Sequence, residues 1–423
     1  MYHRRVSPGP GDDAAARADF PPSFLFGTAT AATQIEGHCT TSDWYAFAKQ
    51  PGRVKHGDTP AVACDSWNRW REDVALQRTL GMGAYRLGIE WARIEPRPGS
   101  IDRVALDEYR AMLAALHDAR IEPMVTLHHF TLPAWLAERG GVLADGFAER
   151  LAGLARTAAG ALGDLCRLWI TVNEPNVLAA QAYVLGAWPP ARKDLRLALR
   201  AQKRLLAAHD AAYHALKDAR GDGAQVGVAH HLRAVEPARP RSIRDRAAAA
   251  LFRRFFNDAF AVAACRRGTQ DFFGINYYSR DVVRFSARKA GELFAARDVP
   301  AGAPVSDLGW EIYPRGLGDV VRRWAARSGL PVYVTENGIA DARDTRRAAF
   351  LEAHLRELAA ALRDGVDVRG YFHWSLLDNF EWAEGYEPRF GLVAVDYATL
   401  ARTPRPSAAV YARIARTRSL TQP

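Results

Sequence analysis

The chain has 423 residues, 48% of them hydrophobic and 10% aromatic, which suits a large globular protein and excludes a disordered one. The formal net charge is +10, but the arginines are scattered along helical segments and form no basic block, so we expect no nucleic-acid binding. The cysteines Cys39, Cys64, Cys166 and Cys265 lie far apart in sequence, which argues against a disulfide framework or a zinc site.

The N-terminal segment contains glycine, proline and aspartate but no apolar stretch. We expect residues 1–18 to form a flexible tail, residues 19–418 to form one domain, and residues 419–423 to form a second tail. No apolar segment follows the early arginines, so we expect no signal peptide. No later segment reaches the length of a membrane span. These features predict a cytoplasmic protein without an integral membrane segment.

Eight short apolar segments alternate with longer segments of helical periodicity along the chain. The predicted strands begin at Phe24, Ala84, Glu122, Leu168, Gln225, Asp271, Val332 and Val368. A doubly wound sheet is the alternative, but no glycine-rich phosphate loop follows any early strand. Eight strand–helix units in one uninterrupted α/β domain therefore predict a (β/α)8 TIM barrel.

Polar side chains close most of these strands. They are Gln34, Glu90, His128, His129, Asn173, Glu174, Asn276, Tyr278, Glu336, Asn337 and Trp374. Active sites of TIM barrels lie at the C-terminal ends of the strands. The polar residues are therefore candidates for a catalytic site.

Two glutamates occupy comparable positions, Glu174 after the fourth strand and Glu336 at the end of the seventh. A pair of carboxyl groups across a barrel mouth suits glycoside hydrolysis, with retention of configuration when they lie about 5–5.5 Å apart. We expect Arg86 to keep Glu336 ionised, with Asn276 and Tyr278 donating further hydrogen bonds to that carboxylate. Glu174 should have a raised pKa and begin the reaction protonated.

The segments "TVNEP" and "VTENG", which contain the two glutamates, resemble the motifs of glycoside hydrolase family 1, the β-glucosidase and β-galactosidase family. The resemblance extends from about Phe24 to "ARTPRPSAAVYARIA" near the C-terminus. It implies that Glu174 is the acid/base and that Glu336 is the nucleophile. It also implies a reaction that needs no cofactor and no metal.

The resemblance further implies a set of sugar-binding residues. They are Gln34, His129, Asn173, Trp374, Glu381, Trp382 and Phe390. Gln34 and Glu381 match positions that bind hydroxyls of the terminal sugar, and an amide and a carboxylate can each make paired hydrogen bonds with neighbouring hydroxyls. Trp374 should form a stacking floor between the walls Trp382 and Phe390. Glu381 would repel a phosphate, so an unphosphorylated sugar is expected.

The chain also departs from the family pattern. It reads "TLHHFTLP" where the family usually reads "T-L-x-H-W-D-x-P", so Phe130 replaces a tryptophan and one sugar contact is in doubt. The connection before Gly268 is shorter than is usual for the family, which should open the rim to bulky aglycones. Trp188, in "GAWPP", fits either an edge of the aglycone site or an anchor for its loop.

A metal site at His128, His230 and His231 is the less favoured interpretation. Adjacent residues of a strand point to opposite faces, so neighbouring histidines cannot readily bind one ion. We expect these side chains to make hydrogen bonds in the core or at the rim.

We therefore predict an exo-acting retaining β-glycosidase that binds a small β-glycoside and forms a covalent glycosyl-enzyme. The segments "RLGIEWARI", "GVAHH" and "FGLVAVD" also resemble the plant galactolipid galactosyltransferase branch of the family. The first alternative is accordingly a transglycosidase that moves a β-galactosyl or β-glucosyl group to a lipid or alcohol acceptor. A catalytically silent sugar-binding protein is the second. The choice of sugar and the oligomeric state stay open.

Overall fold

The computed structural model describes residues 19–421, and a closed barrel of eight parallel strands lies at its centre. The strands are β1 (Leu25–Ala29), β2 (Ala84–Gly88), β3 (Glu122–His128), β4 (Leu168–Asn173), β5 (Gln225–His231), β6 (Phe272–Asn276), β7 (Val332–Asn337) and β8 (Val368–Trp374). Each strand pairs with its neighbours in chain order, and β8 closes the barrel against β1, with Leu25 opposite Gly370. The TIM-barrel prediction is confirmed.

The strands form because their sequences suit burial on both faces. Every residue of β4, "LWITVN", is buried, and most of these residues are β-branched or aromatic. One face of each strand fills the barrel interior, and helices cover the other face. Polar side chains that face the cavity are therefore expected at the ends of the strands.

Long helices follow the strands and surround the barrel. They are Ser66–Thr79, Arg103–Asp118, Phe147–Leu162, Leu195–Arg220, Ile243–Phe252, Ala259–Arg267, Pro314–Ser328, Arg347–Arg363 and Pro406–Thr417. Short helices occupy the connections, at Ala32–Ile35, Asp43–Ala48, Trp91–Ile94, Ala134–Glu138 and Pro175–Ala179. Side-chain caps begin several helices: Asp102 accepts a hydrogen bond from the Ala105 amide, which satisfies a free N–H group of the first turn.

A three-stranded sheet lies beside the connections after β5 and β6. Its strands are Ala234–Pro237, Arg280–Phe285 and Ala295–Asp298, with Arg280–Phe285 in the middle. It packs against the helix Ile243–Phe252 around a small apolar cluster of its own. This sheet, called the rim sheet below, begins directly after the end of β5.

The first strand is shorter than predicted. It ends at Ala29, and Gln34 lies on the short helix Ala32–Ile35 instead of closing the strand. The Thr30 amide donates to the Arg86 carbonyl of β2, after which the chain turns across the barrel. The predicted N-terminal tail, residues 1–18, and residues 422–423 of the C-terminal tail predicted at 419–423 lie outside the described residues. Within residues 19–421, no helix is both long enough and apolar enough to span a membrane.

Candidate active site

A cavity of about 580 Å³ lies at the C-terminal ends of the barrel strands. Most of the predicted site residues line it: Gln34, His129, Glu174, Tyr278, Glu336, Trp374, Glu381, Trp382 and Phe390. The other three, Arg86, Asn173 and Asn276, are fully buried against the lining residues. The barrel thus brings together side chains from distant parts of the sequence. Across residues 19–421, no cluster of three or more His, Cys, Asp or Glu side chains is arranged to hold a metal ion.

Glu174 lies at the point where β4 turns into a short helix. Its backbone has φ 43° and ψ 57°, a left-handed conformation that is unfavourable for a residue with a side chain. Its amide donates to the Ala229 carbonyl of β5, and Pro175 occupies the first turn of the helix Pro175–Ala179. This turn directs the glutamate side chain into the cavity instead of along the strand.

Two side chains donate to the same oxygen of Glu174. His231 Nδ1 and Asn276 Nδ2 each lie 2.9 Å from Oε1. We predicted that Asn276 would support Glu336, and that prediction is wrong. The Thr335 hydroxyl donates to Asn276 Oδ1 at 2.6 Å, which turns the amide NH₂ group towards β4 and Glu174.

Glu336 is held by a cation and a phenol. Arg86 Nη1 lies 2.5 Å from Oε1, and the Tyr278 hydroxyl donates to Oε2 at 2.6 Å, as predicted. Gly338 follows in the "TENG" segment, and a Cβ atom there would lie 1.7 Å from the Trp374 carbonyl oxygen. The glycine therefore allows the end of β7 to approach β8, which places Glu336 close to Trp374.

The pKa values of the two glutamates shift in the opposite order to the predicted one: the pKa of Glu336 is raised, and that of Glu174 is lowered. Burial raises the pKa of Glu336 to about 7, with Arg86 opposing the increase and Glu174 adding to it. Burial also acts on Glu174, but the charge and hydrogen bond of His231, together with the Asn276 donor, bring its pKa below the usual value. The lowering of the Glu174 pKa depends on a positive charge at His231.

Asn173 connects the glutamates to the sugar side of the cavity. Its Oδ1 accepts from Arg86 Nη2 at 2.6 Å and from Asn276 Nδ2 at 3.1 Å. Its Nδ2 lies 3.2 Å from His129 Nε2. Burial holds the pKa of His129 well below its usual range, so a neutral ring lines the cavity.

Gln34 and Glu381 meet at the opposite end of the cavity. Gln34 Nε2 donates to Asn379 Oδ1 and the Phe380 carbonyl, both at 2.9 Å, and lies 3.3 Å from Glu381 Oε2. Gln34 Oε1 is buried and has no partner within residues 19–421. Burial and the nearby Glu336 raise the pKa of Glu381 to about 8. A free amide acceptor and a carboxyl group able to carry a proton suit hydroxyl groups of a ligand.

Aromatic rings form the remaining walls. The His129 ring lies nearly parallel to Trp374 and Trp382, with centroid distances of 5.9 and 6.0 Å. Phe390 packs edge-on against Tyr278 at 6.2 Å. Trp374 lines the cavity and is 3% exposed.

Phe130 and Trp188 contact each other at the cavity wall. Their ring centroids are 4.8 Å apart, and both rings pack against Trp382, at 5.3 and 5.6 Å. Trp188 also lines the cavity, so it borders the site and anchors its own loop. Phe130 has the positive φ of 72°, which directs its ring into this cluster.

Several residues that line the cavity were not predicted as site residues, among them His231, Arg233 and Trp310. His231 and His230 point to opposite faces of β5, as predicted, and His230 stacks on Phe273 away from the cavity. The alternation of β5 therefore identifies His231 as an inward-facing residue. Arg233 and Trp310 lie in irregular connections, where no periodic signal exists.

Sequence comparison agrees with this geometry. The model of glycosyl hydrolase family 1 matches residues 16–270 and 263–420. The chain belongs to glycosyl hydrolase family 1.

Relatives of known structure or name cover almost the whole chain. Beta-glucosidase A of Thermotoga maritima is 36% identical, with 95% of this chain and 98% of that protein aligned. The 1,4-beta-D-glucan glucohydrolase of Thermotoga neapolitana is 34% identical, with 95% and 99% aligned. The structure of the Thermotoga maritima beta-glucosidase in complex with glucoimidazole has a TM-score of 0.88 at 34% identity, covering 95% of this chain and 99% of that one.

Proposed function

We propose that this family 1 protein is a retaining β-glucosidase that removes a terminal, unphosphorylated sugar without a cofactor. Relatives that align with nearly all of it are named beta-glucosidase and glucan glucohydrolase. The observation that carries the proposal is the unequal support of the two cavity carboxyl groups. Arg86 and Tyr278 contact opposite oxygens of Glu336, whereas both donors to Glu174 contact one oxygen.

In the proposed reaction, Glu336 attacks the anomeric carbon and forms a glycosyl ester. A cation and a phenol that favour its carboxylate form suit this nucleophilic role. Glu174 gives its proton to the leaving oxygen as the glycosidic bond breaks. The ester removes the negative charge of Glu336, so Glu174 can then accept a proton from the water that cleaves the ester.

The remaining polar groups bind the sugar. The Gln34 acceptor and the Glu381 carboxyl group bind hydroxyls distant from the anomeric carbon, and Asn173 and His129 bind hydroxyls nearer to it. Trp374, Trp382 and Phe390 form the apolar surfaces around the ring. Residues 19–418 thereby serve as a single catalytic domain.

Azide rescue assigns the roles of the two glutamates. The Glu174→Ala variant should form a glycosyl-enzyme from dinitrophenyl β-glucoside, and azide should then release β-glucosyl azide. In the Glu336→Ala variant, azide should attack from the side of the missing carboxylate and give α-glucosyl azide. The same anomer from both variants, or full activity of either variant without azide, would contradict the proposed roles.

Product analysis separates hydrolysis from transfer. With p-nitrophenyl β-glucoside, a hydrolase releases nitrophenol and glucose in equal amounts, with or without an alcohol acceptor. A deficit of free glucose recovered on the acceptor would identify a transglycosidase. Binding without release of nitrophenol from glucoside or galactoside would identify a silent binding protein. The relatives given above are named beta-glucosidase or glucan glucohydrolase, and none is named as a transglycosidase or a binding protein.

We also propose that the protein works in the cytoplasm. All four cysteines are free thiols, and Cys64 and Cys166 are buried. Unpaired thiols are usual in a reducing compartment. Fractionation of the native host, with detection by antibody, tests the location, and recovery of the full-length protein outside the cytoplasm would contradict it.

A further inference from the structure

A row of polar contacts links Glu174 to the rim sheet. His231 Nδ1 lies 2.9 Å from Glu174 Oε1, and His231 Nε2 lies 3.0 Å from Arg233 Nε. The Arg233 guanidinium also contacts both carboxylate oxygens of Asp281, at 3.1 and 3.3 Å. The row therefore runs from Asp281 through Arg233 and His231 to the proposed acid/base.

The contact with Arg233 determines the protonation of the His231 ring. A guanidinium N–H can only donate, so His231 Nε2 must offer its lone pair. The single ring proton then resides on Nδ1, and the imidazole is neutral and donates to Glu174. Asp281 balances the charge of Arg233, which keeps this arrangement stable when it is partly buried.

Ring packing and hydrogen bonds hold His231 and Arg233 in place. The His231 ring stacks on Tyr278 at 6.0 Å and meets the edge of Phe256 at 5.9 Å. Asn257 donates to the Arg233 carbonyl at 2.7 Å and accepts from the Arg233 amide at 3.3 Å. The direction of the Nδ1–H bond is therefore set by the fold and not by the substrate.

We propose that His231, held by Arg233 as the neutral Nδ1–H tautomer, is a positioning residue that directs the proton of Glu174 to Oε2. His231 Nδ1 and Asn276 Nδ2 both make hydrogen bonds to Oε1 of Glu174, whereas no donor from residues 19–421 contacts Oε2 of the same carboxyl group. Oε2 is thus the oxygen that can carry the proton towards a leaving group. This inference rests on the proposed acid/base role of Glu174.

Charged and titratable side chains from several strands and connections surround Glu174 and His231. They are Arg86, Arg233, Tyr278, Asp281, Glu336 and Glu381. Arg86 contacts Glu336 directly, whereas His231 contacts Glu174. A neutral His231 removes the positive charge that favours ionised Glu174. Glu174 can then hold the proton that the first step of the proposed reaction requires.

The tautomer can be measured without activity. We expect ¹⁵N NMR of the full chain, labelled at histidine, to give the neutral Nδ1–H form of His231 at pH 7. The His231→Asn variant assigns the signal. Arg233→Leu should free Nε2 and thereby permit the Nε2–H tautomer, which the wild type excludes. A doubly protonated His231 in the wild type near pH 7, or the Nε2–H tautomer, would overturn the inference.

Kinetics test the positioning role with two leaving groups. Dinitrophenolate leaves without protonation, whereas an alkoxide requires the acid. We expect His231→Leu to lower kcat/KM for octyl β-glucoside about 100-fold and for dinitrophenyl β-glucoside less than about 3-fold. The alkaline limb of the octyl glucoside profile should move to higher pH, because loss of a donor to the Glu174 carboxylate raises its pKa.

Two further variants separate positioning from a structural effect. His231→Asn keeps an N–H donor near the Nδ1 position and should restore most of the octyl glucoside activity. His230→Leu makes the same substitution on the outward face and should leave the ratio of the two substrates unchanged. Equal losses on both substrates in His231→Leu, or no loss, would overturn the inference. A wild type that cleaves neither substrate would refute the proposed function itself, while NMR would still decide the tautomer.

Discussion

Arg86 and Glu336 form a buried ion pair, with Nη1 2.5 Å from Oε1 and both side chains at most 4% exposed. The same guanidinium donates to Asn173 at 2.6 Å and to the Thr335 carbonyl at 3.2 Å. One cation on β2 thereby connects the ends of β4 and β7. The candidate site is therefore held together in part by the side chain of Arg86.

Replacement of Arg86 by methionine should disable the nucleophile. Arg86 opposes the increase that burial causes in the pKa of Glu336, so its loss should move the acid limb of kcat/KM to higher pH. We expect kcat/KM for dinitrophenyl β-glucoside to fall about 10²- to 10³-fold at pH 6. The uncompensated carboxylate should also cost about 3–5 kcal/mol of stability, measured by urea unfolding.

The surface ion pair between Arg110 and Asp164 provides a matched control. Both side chains are about half exposed, so Arg110→Met should leave the pH profile and the stability of the protein nearly unchanged. An unshifted acid limb in Arg86→Met would show that this cation does not control ionisation of Glu336.

Tyr278→Phe removes one hydroxyl donor from Glu336 Oε2. A hydrogen bond to a charged group contributes about 1.5–3 kcal/mol, so we expect kcat to fall about 10- to 100-fold. The adjacent Tyr277 donates to the Tyr313 carbonyl on the other side of the strand, at 2.7 Å. Tyr277→Phe should therefore lower stability without lowering kcat. Equal kcat losses in the two variants would argue against a specific contact with the nucleophile.

Glu381 should make stability depend on pH. Its pKa is about 8 in the folded protein and about 4.5 in the unfolded chain, so the native state holds the extra proton between these values. Stability contributed by this group is therefore present at low pH and is lost as the pH rises to 8. Glu381→Gln should reduce the loss of unfolding free energy between pH 5 and pH 9 by on the order of 2 kcal/mol.

Urea unfolding at the two pH values measures this difference. Glu384, on the same loop and 42% exposed, offers the control variant Glu384→Gln, which should behave as the wild type. Identical pH dependence in Glu381→Gln and the wild type would mean that Glu381 is ionised in the folded protein at neutral pH.

The sequence was sufficient to predict the positions of the two glutamates. Glu174 and Glu336 directly follow or end fully buried β-branched strands, and a parallel barrel brings such ends to one face. The end of β1 was predicted too late, because the apolar segment continues after the strand pairing with β2 ends at Ala29 and Arg86. Local pattern cannot distinguish a buried strand from the buried turn of helix that carries Gln34.

The hydrogen-bond partners within the site were harder to predict. Asn276 could reach either glutamate, and the hydroxyl of Thr335 on a neighbouring strand decides between them. The pairing of His231 with Arg233 and Asp281 depends on the rim sheet, whose strands pair across more than forty residues of sequence. Such choices arise from tertiary packing, which no periodicity in the sequence encodes.

Phe130 and Trp188 should be energetically coupled, because their rings are in contact and both pack on Trp382. Phe130→Trp adds a larger ring to a site that is 4% exposed and should destabilise the protein by about 1–3 kcal/mol. Trp188→Phe alone should leave a cavity, and the double variant should recover at least about 1 kcal/mol relative to the sum of the single changes. Urea unfolding of the four proteins measures this coupling. Simple additivity would mean that the loop of Trp188 shifts independently of Phe130, and the wall of the cavity would then be set by Trp382 alone.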